Sequence, residues 1–319
     1  MPVAHLKAVD LNYLQLPQKL SPLDSPLNPL YQGEQGIEGE QDSQNDIPSN
    51  LVMVHGLATN LAFWYHLALE LSVTHPVTLF DLRGHGRSSM PENGYTPRQM
   101  AEDLRELLDY LGIETAHLMA HSFGGSVILD FACAYPERVE SLILVDVRLR
   151  VLQPRQRLRD WPRWKRTQRI LNRIGVELDE DDPESGYQIL EAIARLQMRL
   201  PKGKHRLRRL LSKLVPENSQ RTASRWLKLL ETTSARRDLK NIEGISLEQL
   251  QQINKPTLAI YGESSPTLPT ANALKEVWTH AHFEFVPLAG HFFPVSQPQA
   301  LIASVESFLK QLNYLDNAC

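Results

Sequence analysis

Short apolar runs that alternate with helical segments occupy most of the chain after residue 50. Residues 51–54 and 77–80 are runs of apolar or β-branched residues, which are typical of strands buried on both faces of a parallel sheet. Similar runs lie at 116–120, 142–145, 257–261 and 283–286, and the alternating residues 9–16 predict opening strands. Because strands and helices alternate, the pattern predicts an α/β fold with a mostly parallel central sheet and helices on both faces.

Helix signals fall between these runs. Thr96 is placed to cap a helix, Pro97 suits its first position and Gly112 provides a stop. Further helices are expected at 124–135 and 270–278. A last helix follows Pro298, and one of its faces collects the apolar residues Leu301, Ile302, Val305, Phe308 and Leu309.

Two segments depart from this alternation. Residues 17–50 contain five prolines and a polar stretch, which predicts a flexible surface insertion. Residues 148–240 are helical in composition and contain no convincing buried strand, although strands are predicted on both sides of them. We therefore predict a core domain of residues 1–147 and 241–319, interrupted by a helical lid at 148–240.

Charge is distributed unevenly between these two parts. The net charge of the chain is −3, but residues 148–240 hold 24 of the 34 Lys and Arg and only 11 of the 37 Asp and Glu. That segment is therefore +13 and the remainder is −16. Its basic residues, concentrated at 148–173 and 202–213, either dock on an anionic membrane surface or form solvated helix faces that pair with the acidic core. Nucleic acid is not expected as a partner, because no nucleic-acid-binding motif accompanies the charge.

The rest of the composition indicates a cytoplasmic protein. Two cysteines, Cys133 and Cys319, do not make a disulfide framework. The first residues lack a signal-peptide pattern, and no apolar run is long enough to span a bilayer. We expect a cytoplasmic protein, peripheral to a membrane if the basic segment docks there.

The strongest chemical signal is a serine between a predicted strand and a predicted helix. Ser122 is flanked two positions away by Ala120 and Gly124, and small residues there permit the strained turn that lifts a nucleophile above a sheet. His291, after Gly290 in a late loop, is the candidate general base. The alternatives are a serine that only caps its helix and a solvated loop histidine.

Hydrolysis also needs donors for the oxyanion. In a strand–turn–helix elbow, one donor is the main-chain N–H that follows the nucleophile, here Phe123. The second comes from the loop after the first central strand, where Gly56 allows close approach and Leu57 N–H is the expected donor.

Four ordered motifs resemble the α/β-hydrolase superfamily, in particular its serine esterase and lipase-like branch. They are His55-Gly56 with Trp64, the turn of residues 81–88, the elbow of residues 121–125, and Gly290-His291. The resemblance covers about 51–147 and 256–312 and implies the α/β-hydrolase fold. It says little about substrate, because this fold supports many reactions.

The acid that should orient His291 is missing from its usual place. The resemblance implies an Asp after the strand at 257–261, but Ser265 stands there. Asp146 ends the strand that follows the elbow, a position that some relatives use for their acid, and it is the favoured candidate. Glu263 is the alternative acid, and a chain without any acid is the third possibility.

These features predict a serine hydrolase that cleaves a carboxylic ester, hydrophobic or lipid-like in character, through an acyl-enzyme on Ser122. The expected partner is a small acyl substrate, without cofactor or metal. One alternative is a C–C hydrolase or lyase of the same fold, although Ser126 stands where such lyases of menaquinone synthesis carry Arg. Another is a degenerate binding protein that has lost its acid.

Overall fold

An eight-stranded sheet forms the centre of the protein in a computed structural model. The structure describes residues 1–18, 48–162, 164–173, 175–199, 219–240 and 244–316. The strands are β1 (Val3–His5), β2 (Asp10–Leu16), β3 (Asn50–Val54), β4 (Val77–Phe80), β5 (Ala116–His121), β6 (Val139–Val145), β7 (Thr257–Gly262) and β8 (His282–Val286). Their order across the sheet is β1-β2-β4-β3-β5-β6-β7-β8.

The sheet is parallel except at one edge. All neighbours from β4 to β8 in this order pair in parallel, whereas β1–β2 and β2–β4 are antiparallel. The predicted mostly parallel sheet is therefore confirmed. The sequence pattern placed its opening strand region at 9–16, which corresponds to β2, and it did not predict the three-residue edge strand β1.

Helices cover both faces of this sheet. They are α1 (Tyr65–Leu71), α2 (Pro97–Leu111), α3 (Phe123–Ala134), α4 (Trp164–Arg173), α5 (Ser185–Arg199), α6 (Gln220–Thr232), α7 (Ala235–Lys240), α8 (Leu247–Gln252), α9 (Leu268–Val277), α10 (Phe293–Ser296) and α11 (Pro298–Asp316). Short 3₁₀ turns lie at Leu61–Phe63, Pro136–Arg138 and Leu158–Asp160. At the start of α2, the Thr96 hydroxyl accepts a hydrogen bond from Gln99 N–H, as its capping role predicts.

Each central strand contributes to two separate apolar clusters. In β3, Val52 and Val54 join the cluster under α2 and α3, while Leu51 and Met53 join the cluster under α1 and α11. Side chains on a strand alternate between faces, so a strand with apolar residues at every position needs helices on both sides. This arrangement fixes the carboxyl ends of β3, β5 and β6 beside one another.

The described part of the segment between β6 and β7 consists of helices and connecting loops, and it contains no strand. We call residues 148–240 the helical insertion; its helices are α4 to α7, and a small apolar cluster that includes Leu158, Trp164 and Ile189 joins its first part. The basic stretch at 202–213 and the proline-containing stretch at 19–47 lie outside the described residues. The division into a core domain and a lid stays a prediction. Among the described residues, no helix combines the length and apolar character needed to cross a membrane.

The ion pairs of the insertion correct one sequence interpretation. Its basic residues were expected to pair with the acidic core, but the described pairs join them to acids of the insertion itself. Glu191 contacts Arg195 and Arg236 at 2.8 Å each, and Glu184 contacts Arg150 at 2.6 Å. Glu191 lies on α5 and Arg236 on α7, so the packing of the insertion's own helices brings these partners together.

A buried ion pair holds the turn after β4 against α2. Arg83 Nε donates to Asp103 Oδ2 at 2.6 Å and Arg83 Nη2 donates to Asp103 Oδ1 at 2.5 Å. A third guanidinium nitrogen, Nη1, donates to the Asn93 carbonyl at 3.1 Å. Burial raises the pKa of Asp103 above its ordinary value, although the hydrogen bonds and charge of Arg83 oppose that rise. The stability of the ion pair therefore depends on its bidentate geometry.

Removing one partner of this pair should be costly. Asp103→Ala leaves the Arg83 guanidinium buried without a counter-charge, and we expect a loss of about 3–5 kcal/mol in the free energy of unfolding by urea. Asp109→Ala is the control on the same helix, because Asp109 pairs with Arg105 and Arg138 at the surface. Its cost should be about 1 kcal/mol or less. Similar losses for the two variants would contradict the importance of the buried pair.

Candidate active site

Ser122 lies at the sharp junction between β5 and α3. Its backbone angles are φ 55° and ψ −122°, a region that is strained for a residue with a side chain. Small neighbours make the turn possible: a Cβ on Gly124 would lie 2.7 Å from the His55 carbonyl oxygen, and one on Gly56 would lie 3.1 Å from Ser122 Cβ. The predicted elbow is thus observed, and the glycines are there for close backbone approach.

The His291 side chain lies between Ser122 and Asp146. It belongs to the loop between β8 and α10, and its Nε2 is 3.0 Å from Ser122 Oγ. Its Nδ1 is 2.9 Å from Asp146 Oδ1. Because an ionised carboxylate only accepts hydrogen bonds, this contact assigns the proton to Nδ1 and leaves Nε2 free to accept from the serine hydroxyl.

Asp146 sits immediately after β6 with a positive φ of 53° and no solvent exposure. Its Oδ2 accepts a hydrogen bond from Gly262 N–H at 2.9 Å. Its Oδ1 accepts hydrogen bonds from the Ser265 and Thr267 hydroxyls in addition to the His291 contact. Burial would raise the pKa of Asp146, but the hydrogen bond and charge of His291, with the two hydroxyl donors, hold it below its ordinary value.

The alternative acid lies outside this chain of hydrogen bonds. Glu263 is exposed, and its carboxylate accepts a hydrogen bond from Leu288 N–H at 3.2 Å. The structure therefore brings together Ser122, His291 and Asp146, and it leaves Glu263 apart from them. The third possibility, a histidine with no acid behind it, does not describe this geometry.

Ser265 and Thr267 were not predicted as part of the site. Ser265 was noticed only because it stands where the resemblance implies an Asp. In the structure its hydroxyl reaches the Asp146 carboxylate, so the residue at the usual acid position supports the acid that comes from β6. The substitution of a hydroxyl for a carboxylate is the sequence signal that could have identified this arrangement.

His121 is a second feature that the sequence reasoning missed. Its Nε2 lies 2.9 Å from the carbonyl oxygen of His291, so Nε2 donates and holds the loop that carries the base. Burial, followed by the nearby charge of His291, lowers the pKa of His121 to about 3. The ring stays neutral at neutral pH and packs against Phe63, with centroids 4.7 Å apart. His121 therefore acts as a positioning residue in the structure.

The predicted oxyanion donors face the same space as Ser122. Leu57 and Phe123 line its cavity. Neither of their main-chain N–H groups donates a hydrogen bond to another described residue. The Thr59 hydroxyl donates to the Gly56 carbonyl at 2.8 Å, which fixes the turn before Leu57. Two free N–H groups beside the serine are the arrangement that a developing oxyanion requires.

The cavity has a volume of about 490 Å³. Its floor carries Ser122 and His291 from the core. The part of its wall that comes from the helical insertion is mostly apolar, with Trp161, Tyr187, Ile189, Leu190 and Ile193, and it also includes Arg148, Gln156 and Thr167. An apolar cavity with a few convergent polar groups at one end is typical of a site for a small, largely apolar ligand.

Comparisons with known proteins agree with this fold. Residues 50–298 match the family model described as alpha/beta hydrolase fold. The 3-oxoadipate enol-lactonase 2 of Acinetobacter baylyi is 26% identical over 272 residues, covering 85% of this chain and 91% of the relative. An esterase from Rhodococcus sp. ECU1013 has a TM-score of 0.64 at 20% identity, with 97% of this chain and 98% of that chain covered.

Other curated relatives match over a shorter region. The abhydrolase domain-containing protein abhd-5.2 of Caenorhabditis elegans is 36% identical over 100 residues, which are 30% of this chain and 22% of the relative. This chain thus matches only about a quarter of the length of such relatives.

The depressed pKa of Asp146 predicts a pH dependence of stability. A carboxylate whose pKa is lowered by folding stabilises the native state above its unfolded pKa, about 3.9, and loses that contribution as the pH falls through the lower folded value. Denaturant unfolding of wild type and Asp146→Asn should therefore differ most near neutral pH. The difference should shrink once the pH falls below the ordinary carboxyl range.

Ser265→Ala tests the cause of that shift. Loss of one hydroxyl donor should raise the pKa of Asp146, so that the acid-induced loss of stability begins at higher pH than in wild type. Glu263→Gln removes an exposed carboxylate from the same loop and should leave the acid limb unchanged. If Ser265→Ala behaves as Glu263→Gln does, the hydroxyl does not support the carboxylate.

Proposed function

Because the chain belongs to the alpha/beta hydrolase family, we propose that it is a serine hydrolase that cleaves carboxylic esters through an acyl-enzyme on Ser122. The observation that carries the proposal is the continuous chain of hydrogen bonds from Ser122 through His291 to Asp146 at the floor of the cavity. A nucleophile, a base and a buried acid in that order are the parts needed for acyl transfer.

In the proposed mechanism, each residue has one task. His291 Nε2 takes the hydroxyl proton as Ser122 Oγ bonds to the ester carbonyl carbon, and Asp146 stabilises the imidazolium. The carbonyl oxygen becomes an oxyanion that Leu57 N–H and Phe123 N–H receive. His291 then returns its proton to the departing alkoxide. Water attacks the acyl-enzyme by the same route and releases the acid.

The cavity wall indicates the kind of ester. The acyl or alcohol portion faces the aromatic and aliphatic side chains of the insertion, so the proposed substrate is a small ester with a substantial apolar part. A lactone is a cyclic ester and would follow the same chemistry, as the relative named enol-lactonase suggests. No contact in the described cavity favours a C–C hydrolase or lyase, and Ser126 lines the cavity where such lyases carry Arg.

Docking of the basic insertion on an anionic membrane remains part of the proposal in a weaker form. Several of its described arginines are neutralised by acids of the same segment. The charge for membrane attraction would come from basic residues outside these pairs, including those at 202–213. Sedimentation with vesicles that contain anionic lipid, compared with neutral vesicles, tests this point, and equal recovery on both would reject it.

Turnover of a short-chain p-nitrophenyl ester tests the mechanism. Ser122→Ala should abolish the activity and also the labelling of the protein by a fluorophosphonate, because both need the activated hydroxyl. Activity that survives in Ser122→Ala would disprove the nucleophile. Folding of the variant is checked by its melting curve, since the substitution removes only one oxygen atom.

Asp146→Asn and Glu263→Gln separate the two candidate acids. The amide at position 146 cannot stabilise imidazolium and favours the wrong histidine tautomer, so kcat should fall on the order of 10³–10⁴-fold. Glu263→Gln, in an exposed side chain without contact to His291, should retain wild-type kcat. The reverse result would assign the role to Glu263.

A further inference from the structure

A second cavity, of about 260 Å³, lies between the turn after β4 and helix α6 of the insertion. The loop after β3 separates it from the cavity that contains Ser122. Leu57 faces the Ser122 cavity, whereas Ala58 and Asn60 line the second one, and Thr59 lines both. The two cavities are therefore distinct sites on opposite sides of one loop.

Three arginines line this second cavity. Arg221 and Arg225 are four residues apart on α6, and Arg87 comes from the turn after β4. Within the described part of the chain, none of the three guanidinium groups lies in an ion pair; Arg225 Nη2 instead donates to the Ser88 carbonyl. Like charges four residues apart on a helix destabilise it, so this arrangement favours an anion between them.

The carboxylate of Asp81, in the cavity wall, already accepts hydrogen bonds from the protein. Asp81 accepts hydrogen bonds from Asn12 Nδ2 at 2.7 Å, Leu61 N–H at 2.8 Å and Arg87 N–H at 2.8 Å. These contacts tie the carboxylate to the turn and the loop. Its oxygens are thus committed to the fold of the cavity wall, and the guanidinium groups of Arg221 and Arg225 remain available to a ligand.

Two buried side chains that line the same cavity carry unpartnered polar atoms. His85 and Trp226 are each 3% exposed, and His85 Nε2 and Trp226 Nε1 have no hydrogen-bond partner among the described residues. His85 Nδ1 lies 2.9 Å from the Arg83 carbonyl oxygen, which only accepts, so the proton is on Nδ1. Burial, together with the nearby His55, lowers the pKa of His85 to about 3, so Nε2 is an acceptor at neutral pH.

We propose that this second cavity binds the phosphate monoester of a small hydroxylated molecule. Guanidinium groups match the paired oxygens of a phosphate, and a group with close to two negative charges suits several arginines better than a single carboxylate does. The Trp226 indole N–H adds a neutral donor. His85 Nε2 accepts a hydrogen bond from a hydroxyl of the carrier. The small volume limits that carrier to a few carbon atoms.

Titration calorimetry on the full chain tests the site without reference to esterase activity. The probes are inorganic phosphate, glycerol 3-phosphate and glycerol. We expect saturable binding of the two phosphates and none of glycerol. Arg221→Gln and Arg225→Gln should each weaken phosphate binding by about tenfold or more, since each removes a charge-assisted contact.

Arg166→Gln is the matched control. Arg166 is an exposed arginine on α4 of the same insertion, and it does not line the cavity. Its replacement removes the same charge and should leave the affinity unchanged. Equal weakening by Arg166→Gln and Arg221→Gln would overturn the site in favour of general charge attraction. Absence of saturable phosphate binding in folded wild type, judged from its melting curve, would overturn it as well.

A comparison of two affinities tests the role of His85 separately. Glycerol 3-phosphate should bind more tightly than inorganic phosphate, because its alcohol hydroxyls can reach Nε2 while the phosphate group stays on the arginines. Equal affinities for the two would overturn the assignment of a hydroxylated carrier. A failure of the esterase assay would not affect any of these results, since they measure binding alone.

Discussion

A single fully buried carboxylate, that of Asp146, links the segments on which the site depends. An ionised carboxylate without solvent is stable only if its oxygens are matched by donors. The donors come from different places: Gly262 N–H from the end of β7, the Ser265 and Thr267 hydroxyls from the loop that follows, and His291 from the loop after β8. Satisfying one anion thus fixes two loops relative to β6.

Backbone strain is concentrated at the same edge of the sheet. Ala58, Ser122 and Asp146 have φ values of 56°, 55° and 53°, and they follow the neighbouring strands β3, β5 and β6. Such conformations cost about 1–3 kcal/mol each and persist only where the surroundings impose them. Here the surroundings are buried parallel strands with helices packed on both faces, and glycines at 56 and 124 admit the close approaches. A well-packed sheet therefore sustains strained residues at its carboxyl edge, where ligands bind in folds of this type.

Local patterns in the sequence were sufficient for the parallel strands and for the turn that carries Ser122, because each rests on residues close together in the chain. The parallel strands were predicted to within a few residues since their apolar runs are uninterrupted. The acid could not be decided in the same way. Asp146 and Glu263 both follow strands, and only the packing of β6 beside β7 shows that the former is buried against His291 while the latter points to solvent.

The same limit explains the error about the insertion. The net charge of a segment gives the number of charged side chains that need partners. It does not identify the partners that helix packing brings within ion-pair distance, about 4 Å. Glu191 lies between Arg195 on its own helix and Arg236 on α7, a contact between helices that composition alone does not reveal. Apolar residues of the insertion line the cavity together with the buried Arg148, while cations such as Arg195 and Arg236 pair at the surface. The reacting groups thus come from the core and the shape of the cavity from the insertion, so the two can vary independently within one fold.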